Sequence, residues 1–334
     1  MAYQDKKLNV QNLLKIKKIN NEDVLLLSKK FNLGKVIKFQ GIKQGIENTN
    51  YLIKTQNSKF ILTIFEKRVQ KKDLPFFMKL MDKLNHQKIN CPKPLKDKKG
   101  KYLTFIKNKS ACLVTFLNGK DKRILSYKNC YDAGKNIAKL HRVSNKIKLY
   151  RKNSMSINNL EKILKSIKFK SKNKSQNLKA ILKINLNKIK KKWPKKLPKG
   201  IIHGDLFIDN IFYEKNNFSG FIDFYFSSND YLMYEIAICI NALCFDNRNS
   251  KFVLNNQKVK SLINGYQKIR KISQKEKDSL NVLCRGAALR YLLTRIYDYF
   301  NTPKSALIKI KDPGEYFQKL IIHNNLNKYK DYYK

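Results

Sequence analysis

The chain has 334 residues and a formal net charge of +48, and hydrophobic residues make up 42% of it, enough for a substantial core. No apolar run approaches the length of a transmembrane helix and the first residues show no signal-peptide pattern, so we expect a cytoplasmic protein with no membrane partner. Six scattered cysteines without a CxxC pair argue against a disulfide framework or a cysteine metal cluster, and predict reduced, mostly buried thiols.

The positive charge comes almost entirely from lysine, while arginine, the residue favoured for reading DNA bases, is scarce. Abundant lysine, asparagine and isoleucine with little glycine is the composition expected from an AT-rich genome. We therefore interpret the charge as compositional and expect no specific nucleic-acid partner. The basic field would still attract anionic nucleotides, with a strong dependence on salt.

The first third of the chain predicts a strand-rich region. A short helix opens at Asn21, with Gly34 as its stop signal. Runs of β-prone residues separated by turn residues then predict strands at 36–39, 51–53, 60–65, 102–106 and 111–116. Between the third and fourth strands, Asp73 begins a second amphipathic helix that Pro92 and Pro94 terminate.

At Leu117-Asn118-Gly119 the pattern changes from strand-rich to helix-rich. We place a domain boundary there, giving a first domain at 1–117 and a second at 118–334. The second domain contains an amphipathic helix carrying His141, which we interpret as a core histidine, and a Lys-rich helical excursion at 151–199.

A β-hairpin is predicted next. Residues 210–214 and 218–224 are apolar-rich and β-prone, and Lys215-Asn216-Asn217 between them is typical of a tight turn. With the two asparagines at the turn, where asparagine tolerates positive φ, Asn210 would lie directly opposite Asp223.

Three polar residues around this hairpin form the candidate site. Asp205 belongs to His203-Gly204-Asp205, Asn210 follows it, and Asp223 lies thirteen residues beyond Asn210. An amide and a carboxylate side by side suit a hard cation such as Mg²⁺ better than zinc, and Asp205 can meet a substrate hydroxyl. The alternative, with Asp205 capping a turn and Asp223 ending a strand toward solvent, leaves a carboxylate inside the apolar run 221–226 without a partner. We interpret His203 as structural, hydrogen-bonding to the backbone.

Two apolar helices are predicted after the hairpin, at 230–245 and 280–300. The second is apolar on several faces, as a buried central helix would be. It carries three of the scarce arginines at a spacing of five, which puts them on different faces: Arg285, Arg290 and Arg295.

These motifs resemble those of the aminoglycoside-phosphotransferase-like, protein-kinase-like superfamily, and the phrases around them resemble the bacterial homoserine kinase family. The similarity spans almost the whole chain. The segments that carry it are 41–51, 60–68 (FILTIFEKR), 73–77, 113–119 (LVTFLNG), 203–212, 220–230 (GFIDFYFSSND), 285–302 and 311–313.

The resemblance implies an α+β, bilobal protein-kinase-like fold, with a small antiparallel-sheet N-lobe, a mainly helical C-lobe and ATP in the cleft. The segment Thr115-Phe116-Leu117 would offer backbone groups to adenine. Asp205 would orient the acceptor hydroxyl and take its proton, while Asn210 and Asp223 would bind Mg²⁺ at the phosphates.

The sequence departs from the superfamily pattern in the nucleotide-binding region. Thr63 occupies the place of the phosphate-pairing lysine, so the cation must come from elsewhere, with Lys54 and Lys67 as candidates. The preceding turn is not a GxGxxG loop; its polar residues either donate to phosphate or simply form the turn, and both interpretations stay open. These residues are Gly45, Asn48 and Asn50.

Substrate recognition is less evident from the sequence. An amino-acid acceptor carries an ammonium and a carboxylate, so the pocket needs an anion and a cation. We expect Arg290 to bind the carboxylate; the open alternative is a buried arginine paired with Asp298 or Glu235. Asp209 and Asp230 are the candidates for the ammonium.

The resemblance implies an ATP- and Mg²⁺-dependent kinase that phosphorylates L-homoserine in threonine biosynthesis, as a monomer or homodimer. One alternative is a related kinase for choline, an aminoglycoside or another amino alcohol. A choline site would need an aromatic cage and an aminoglycoside site an acidic cleft. A more distant alternative is an inactive basic protein that binds nucleic acid.

Overall fold

The computed structural model describes residues 19–42, 48–66, 69–169, 173–302 and 310–333. The chain forms two compact units. Among the described residues, the first comprises those from 19 to 71 and Pro94–Phe116, and the second comprises Lys72–Lys93, Leu117–Thr302 and those from 310 to 333. The segment 72–93, which we placed in the first domain, belongs to the second compact unit. The division into domains at 1–117 and 118–334 stays a prediction.

The first unit is an antiparallel sheet with one helix, α1 (Asn21–Phe31). Asn20 caps α1 through a capping box with Asp23, and the helix ends at Asn32 in the left-handed conformation, two residues before the predicted stop at Gly34. The strand order is β1-β2-β3-β5-β4. The strands are β1 (Val36–Ile42), β2 (Asn48–Thr55), β3 (Lys59–Phe65), β4 (Leu103–Ile106) and β5 (Lys109–Thr115).

The core of the first unit lies between α1 and one face of this sheet. Val24, Leu27 and Phe31 of α1 cluster with Ile53 and Leu62 of the strands. Because side chains alternate along a strand, the residues next to Ile53 and Leu62 in their strands lie on the other face of the sheet. That face carries the predicted nucleotide residues Asn50 and Thr63.

The second unit is mainly helical. Its helices are α2 (Leu74–His86), α3 (Tyr127–Ser144), α4 (Leu160–Ser166), α5 (Asn173–Lys192), α6 (Leu232–Leu243), α7 (Asn256–Gln267), α8 (Gln274–Asn301) and α9 (Gly314–Asn324). Its strands form three two-stranded pairs, β6 (Lys199–Ile202) with β9 (Ser228–Tyr231), β7 (Ile211–Glu214) with β8 (Asn217–Phe221), and β10 (Phe245–Arg248) with β11 (Lys251–Leu254).

The α+β fold class is confirmed, as are the long apolar helix that carries Arg290 and the helical character of the Lys-rich excursion, which contains α4 and α5. The assignment of Asp230 to a helix was wrong: Asp230 lies in β9, which pairs with β6, and α6 begins only at Leu232. All six cysteines are buried and no disulfide joins them. Within the described ranges, no helix has both the length and the apolar character needed to cross a bilayer.

Candidate active site

The hairpin of β7 and β8 differs from the prediction by one position. Lys215 and Asn216, not the two asparagines, are the turn residues, with φ of 46° and 69°. The register also shifts between Phe212 and Tyr213. As a result, the backbone of Asn210 bonds to Ile222 at 3.0 Å, and the predicted pairing of Asn210 with Asp223 is wrong.

The loop between β6 and β7 brings Asp205 and Asn210 together. Asn210 ends a short 3₁₀ helix, and its Nδ2 donates to the Asp205 carbonyl at 2.8 Å. The same Nδ2 lies 3.5 Å from Oδ2 of Asp205. The side chain of Asn210 is buried while that of Asp205 is only half-buried. The two predicted site residues therefore converge.

Asp223 directly follows Ile222, the residue that lies opposite Asn210. Cross-strand and sequential Cα spacings together put the Cα atoms of these two residues within roughly 9 Å of each other. The backbone of Asp223 is left-handed, with φ 63° and ψ 61°. Such a conformation costs a non-glycine residue roughly 1–3 kcal/mol and is concentrated at functional sites. It directs the chain out of β8 immediately beside Asn210.

The oxygens of this site fit a hard cation. With Nδ2 committed to the Asp205 carbonyl, Oδ1 is the Asn210 atom suited to bind a metal, and Asp223 adds a carboxylate. No group of three His, Cys, Asp or Glu side chains that could hold a metal occurs in the described parts of the chain. The set here counts an amide, and Mg²⁺ in nucleotide enzymes takes further oxygens from phosphates and water.

His203 hydrogen-bonds to the backbone beside the candidate site. It is fully buried, and its Nε2 lies 2.8 Å from the Ile222 carbonyl, which can only accept, so Nε2 carries the proton. Burial lowers the pKa of His203, although the nearby Glu235 charge opposes this. The neutral imidazole thus ties the loop before Asp205 to the end of β8.

A buried glutamate, Glu235, hydrogen-bonds to the backbone of the loop that precedes Asp205. Glu235 of α6 is fully buried, and its carboxylate accepts hydrogen bonds from the backbone N–H groups of His203 and Gly204. Burial would raise the pKa of Glu235, but contact with His141 and the Gly204 donor lowers it overall. The sequence analysis missed this residue as a loop anchor, although an acidic residue inside the apolar run of α6 is a recognisable signal.

Arg290 and Tyr291 approach the loop from α8. Arg290 is 3% exposed, and its guanidinium donates to the Gly204 carbonyl at 2.8 Å. The Tyr291 hydroxyl lies 3.2 Å from Oδ1 of Asp205 and 3.3 Å from the Gly204 carbonyl. The burial of Arg290 favours a structural role over the predicted contact with a substrate carboxylate. Tyr291 has no distinguishing signal in the sequence.

The two acidic residues predicted for the ammonium have different surroundings. Asp209 is exposed, and its Oδ2 lies 3.9 Å from Nζ of Lys311. Asp230 is half-buried, and its carboxylate accepts from Asn153 at 2.6 Å and from the Tyr231 N–H at 2.7 Å. Burial raises the pKa of Asp230 despite these donors.

In the first unit, Asn50 and Thr63 form a cross-strand pair. The Thr63 hydroxyl donates to Oδ1 of Asn50 at 2.9 Å. Nδ2 of the same amide therefore points away from Thr63. Asn48 lies at the same end of β2, where its Oδ1 accepts from the Glu66 N–H at 3.4 Å. Gly45 lies outside the described residues.

A cavity of about 270 Å³ opens on the same sheet face. Its lining residues are Lys38, Gln40, Leu52, Lys54 and Lys59. Lys54 lies four strand positions from Asn50, roughly 13 Å along the strand, so it cannot take the place of a lysine at Thr63. The other candidate cation, Lys67, lies outside the described residues.

The predicted adenine-binding segment begins where β5 ends. Thr115 pairs with Phe60, and the Phe116 N–H donates to the Lys59 carbonyl at 3.0 Å. Because that donor is engaged within the sheet, adenine would have to use other backbone groups of Thr115, Phe116 or Leu117.

Comparisons with known proteins identify the family of the chain. The phosphotransferase enzyme family matches residues 38–270. Homoserine kinase from Bradyrhizobium diazoefficiens is 38% identical over 303 residues, covering 90% of this chain and 92% of its own. Homoserine kinase from Allorhizobium ampelinum is also 38% identical, over 94% of this chain and 97% of its own.

Solved structures show the same fold at low sequence identity. An amicoumacin kinase in complex with AMP-PNP and Ca²⁺ superposes with a TM-score of 0.68 at 13% identity, covering 94% of this chain and 93% of its own. A choline kinase from Streptococcus pneumoniae has a TM-score of 0.63 at 15% identity, covering 92% and 100%. The chain is therefore a kinase of the phosphotransferase enzyme family and belongs to its homoserine kinase branch.

Proposed function

We propose that this protein transfers the γ-phosphoryl group of ATP to the side-chain hydroxyl of L-homoserine, producing O-phospho-L-homoserine for threonine biosynthesis. The substrate assignment depends on one observation, the match to homoserine kinases at 38% identity over most of both chains. The convergence of Asp205 with Asn210 supports the reaction type.

In this proposal Asp205 is the catalytic residue. Its half-buried carboxylate orients the acceptor hydroxyl and accepts its proton as the new O–P bond forms and the bond to ADP breaks. Phosphoryl transfer depends mainly on in-line positioning and on neutralising charge, so a carboxylate of ordinary basicity suffices. General-base assistance would contribute about 10²–10⁴-fold.

Asn210 and Asp223 would hold Mg²⁺ through Oδ1 and the carboxylate, respectively. The bound ion would neutralise charge on the phosphate oxygens. The hydrogen bond from Asn210 to the Asp205 carbonyl supports this by fixing the Asn210 amide, and the left-handed backbone of Asp223 sets the direction in which its Cβ leaves the chain.

For the nucleotide, we propose that Asn48, Asn50 and Thr63 face the phosphates and that the segment from Thr115 to Leu117 borders adenine. The orientation of the Asn50 amide supports this, because its Nδ2 is the donor that a phosphate oxygen requires. For the substrate ammonium, Asp209 is a better candidate than Asp230, because Asp209 is exposed and Asp230 already accepts two hydrogen bonds.

A coupled ADP-release assay with homoserine as sole acceptor tests the proposal. We expect turnover that requires both Mg²⁺ and homoserine. Asp205→Asn should abolish this turnover while the protein stays folded. Choline, ethanolamine and an aminoglycoside serve as competing acceptors. Activity with one of these but not with homoserine would replace the substrate assignment. Absence of turnover with all of them, together with tight salt-sensitive RNA binding, would favour the nucleic-acid alternative.

A further inference from the structure

We propose that the Tyr291 hydroxyl is a positioning group that fixes the carboxylate of Asp205 for proton transfer. The inference rests on the proposed phosphoryl transfer and adds to it a residue that no sequence motif indicated. Tyr291 would not touch the substrate; it would act only through Asp205.

The contacts of Tyr291 define the orientation of Asp205. The hydroxyl lies 3.2 Å from Oδ1 of Asp205 and 3.3 Å from the Gly204 carbonyl, so its single proton can serve both acceptors. Oδ2 of Asp205 lies on the other side, 3.5 Å from the Asn210 amide. The two carboxylate oxygens are therefore distinguished: Oδ1 is held by Tyr291, and Oδ2 faces the proposed metal ligand.

The Tyr291 ring is itself held by packing. It meets Phe207 edge-on with 4.7 Å between ring centroids, and Tyr316 at 5.2 Å. The guanidinium of Arg290 lies 4.7 Å from the centre of the same ring. Because these neighbours fix the ring, little side-chain entropy is lost in forming the hydrogen bond to Asp205.

The hydroxyl is a donor at every pH at which the enzyme would work. Burial raises the pKa of Tyr291 well above 10 even though Arg290 opposes this. A protonated hydroxyl cannot accept the substrate proton in place of Asp205, so its contribution is orientation.

A matched control lies next to Tyr291. Tyr316 is also fully buried and packs against the same rings, but its hydroxyl has no hydrogen-bond partner among the described residues. Tyr316→Phe thus removes an oxygen of the same kind without removing a bond to Asp205.

The experiment compares Tyr291→Phe with Tyr316→Phe in the ADP-release assay. We expect Tyr291→Phe to lower kcat by about 10- to 100-fold, the equivalent of one hydrogen bond to a charged group. KM for ATP should stay within about twofold, and Tyr316→Phe should be near wild type. AMP-PNP affinity, measured by calorimetry, should be unchanged in both tyrosine variants.

Two results would overturn the inference. They are wild-type kcat in Tyr291→Phe and an equal loss of kcat in both tyrosine variants. Loss of AMP-PNP binding by Tyr291→Phe, measured by calorimetry, would likewise show a general structural role. Wild-type protein without homoserine-dependent turnover would instead refute the proposed function and, with it, the step in which Tyr291 is placed.

Discussion

The carboxylate of Glu235 accepts a hydrogen bond from the backbone N–H of Gly204 at 3.0 Å, and the adjacent His203 N–H donates to the same carboxylate. Gly204 directly precedes Asp205, so a buried charge on α6 determines the path of the chain into the candidate active site. The next peptide, between Gly204 and Asp205, is held as well, because Arg290 and Tyr291 of α8 donate to the Gly204 carbonyl.

Glu235→Gln should weaken this anchor. A glutamine offers one acceptor oxygen where two N–H groups now bind, and its NH₂ would face a donor. Leaving a buried donor unsatisfied costs about 1–3 kcal/mol, so we expect a comparable loss in the free energy of unfolding, together with reduced kcat. Urea unfolding and the ADP-release assay measure the two effects. Glu214→Gln, on an exposed residue of β7, is the control and should change neither. Unchanged stability of Glu235→Gln would refute the anchor.

Asp223→Asn should separate metal binding from backbone conformation. Asparagine tolerates the left-handed conformation seen at φ 63°, so we expect the free energy of unfolding to change by less than about 1 kcal/mol. Removal of the carboxylate should nevertheless abolish Mg²⁺-dependent turnover and the enhancement of AMP-PNP binding by Mg²⁺. Calorimetric titrations with and without Mg²⁺ provide the test. A variant that retains this enhancement would exclude Asp223 as a ligand.

Gly204→Ala should be far more damaging than a glycine substitution elsewhere at similar φ. Gly204 has φ +80°, and a Cβ there would lie 2.8 Å from the Phe226 carbonyl oxygen. Gly100 has φ +75° with nothing within 4 Å of its Cβ position. Gly100→Ala should therefore cost only the left-handed strain of about 1–2 kcal/mol, while Gly204→Ala adds a backbone clash. Thermal unfolding of both variants measures the difference, and equal losses would contradict the close approach seen here.

The stability of the protein should fall in acid because of His323. Its Nδ1 and Nε2 lie 3.0 Å from Tyr332 and 3.2 Å from Asn241, and burial lowers its pKa from 6.5 to about 3. Between these values the unfolded chain binds a proton that the folded protein does not, so stability decreases as pH falls from 6.5 toward 3. One such group contributes a slope of about 1.4 kcal/mol per pH unit.

Urea unfolding of wild type and His323→Gln at pH 7.5, 5.5 and 4.5 tests this linkage. Glutamine does not titrate, so the pH dependence of the variant should be shallower by that slope, whatever its stability at pH 7.5. Parallel pH profiles would show that His323 is not the group responsible.

Much of the candidate site was predictable because its signals are local. The spacing of Asp205, Asn210 and Asp223, and an acidic residue inside an apolar run, predicted a shared site around one hairpin. The details of the hairpin were not predictable in the same way. Lys215 adopts positive φ at the turn and the ladder shifts after Phe212, so Asn210 bonds to Ile222 rather than facing Asp223.

Local signals in the sequence predicted the strands of the first unit, the hairpin with its polar residues and the long helix α8, because periodicity, caps and motif spacing act over a few residues; the fold class followed from the family resemblance. The contacts of Glu235 and Tyr291, which are distant in sequence from Asp205, with the loop that carries it became evident only in the folded chain. Such contacts depend on how α6 and α8 pack against the loop, and a single sequence contains no periodicity that reports a pairing between separate elements. For the same reason, the sequence predicted that Arg290 lies in a buried central helix but not that it donates to the Gly204 carbonyl.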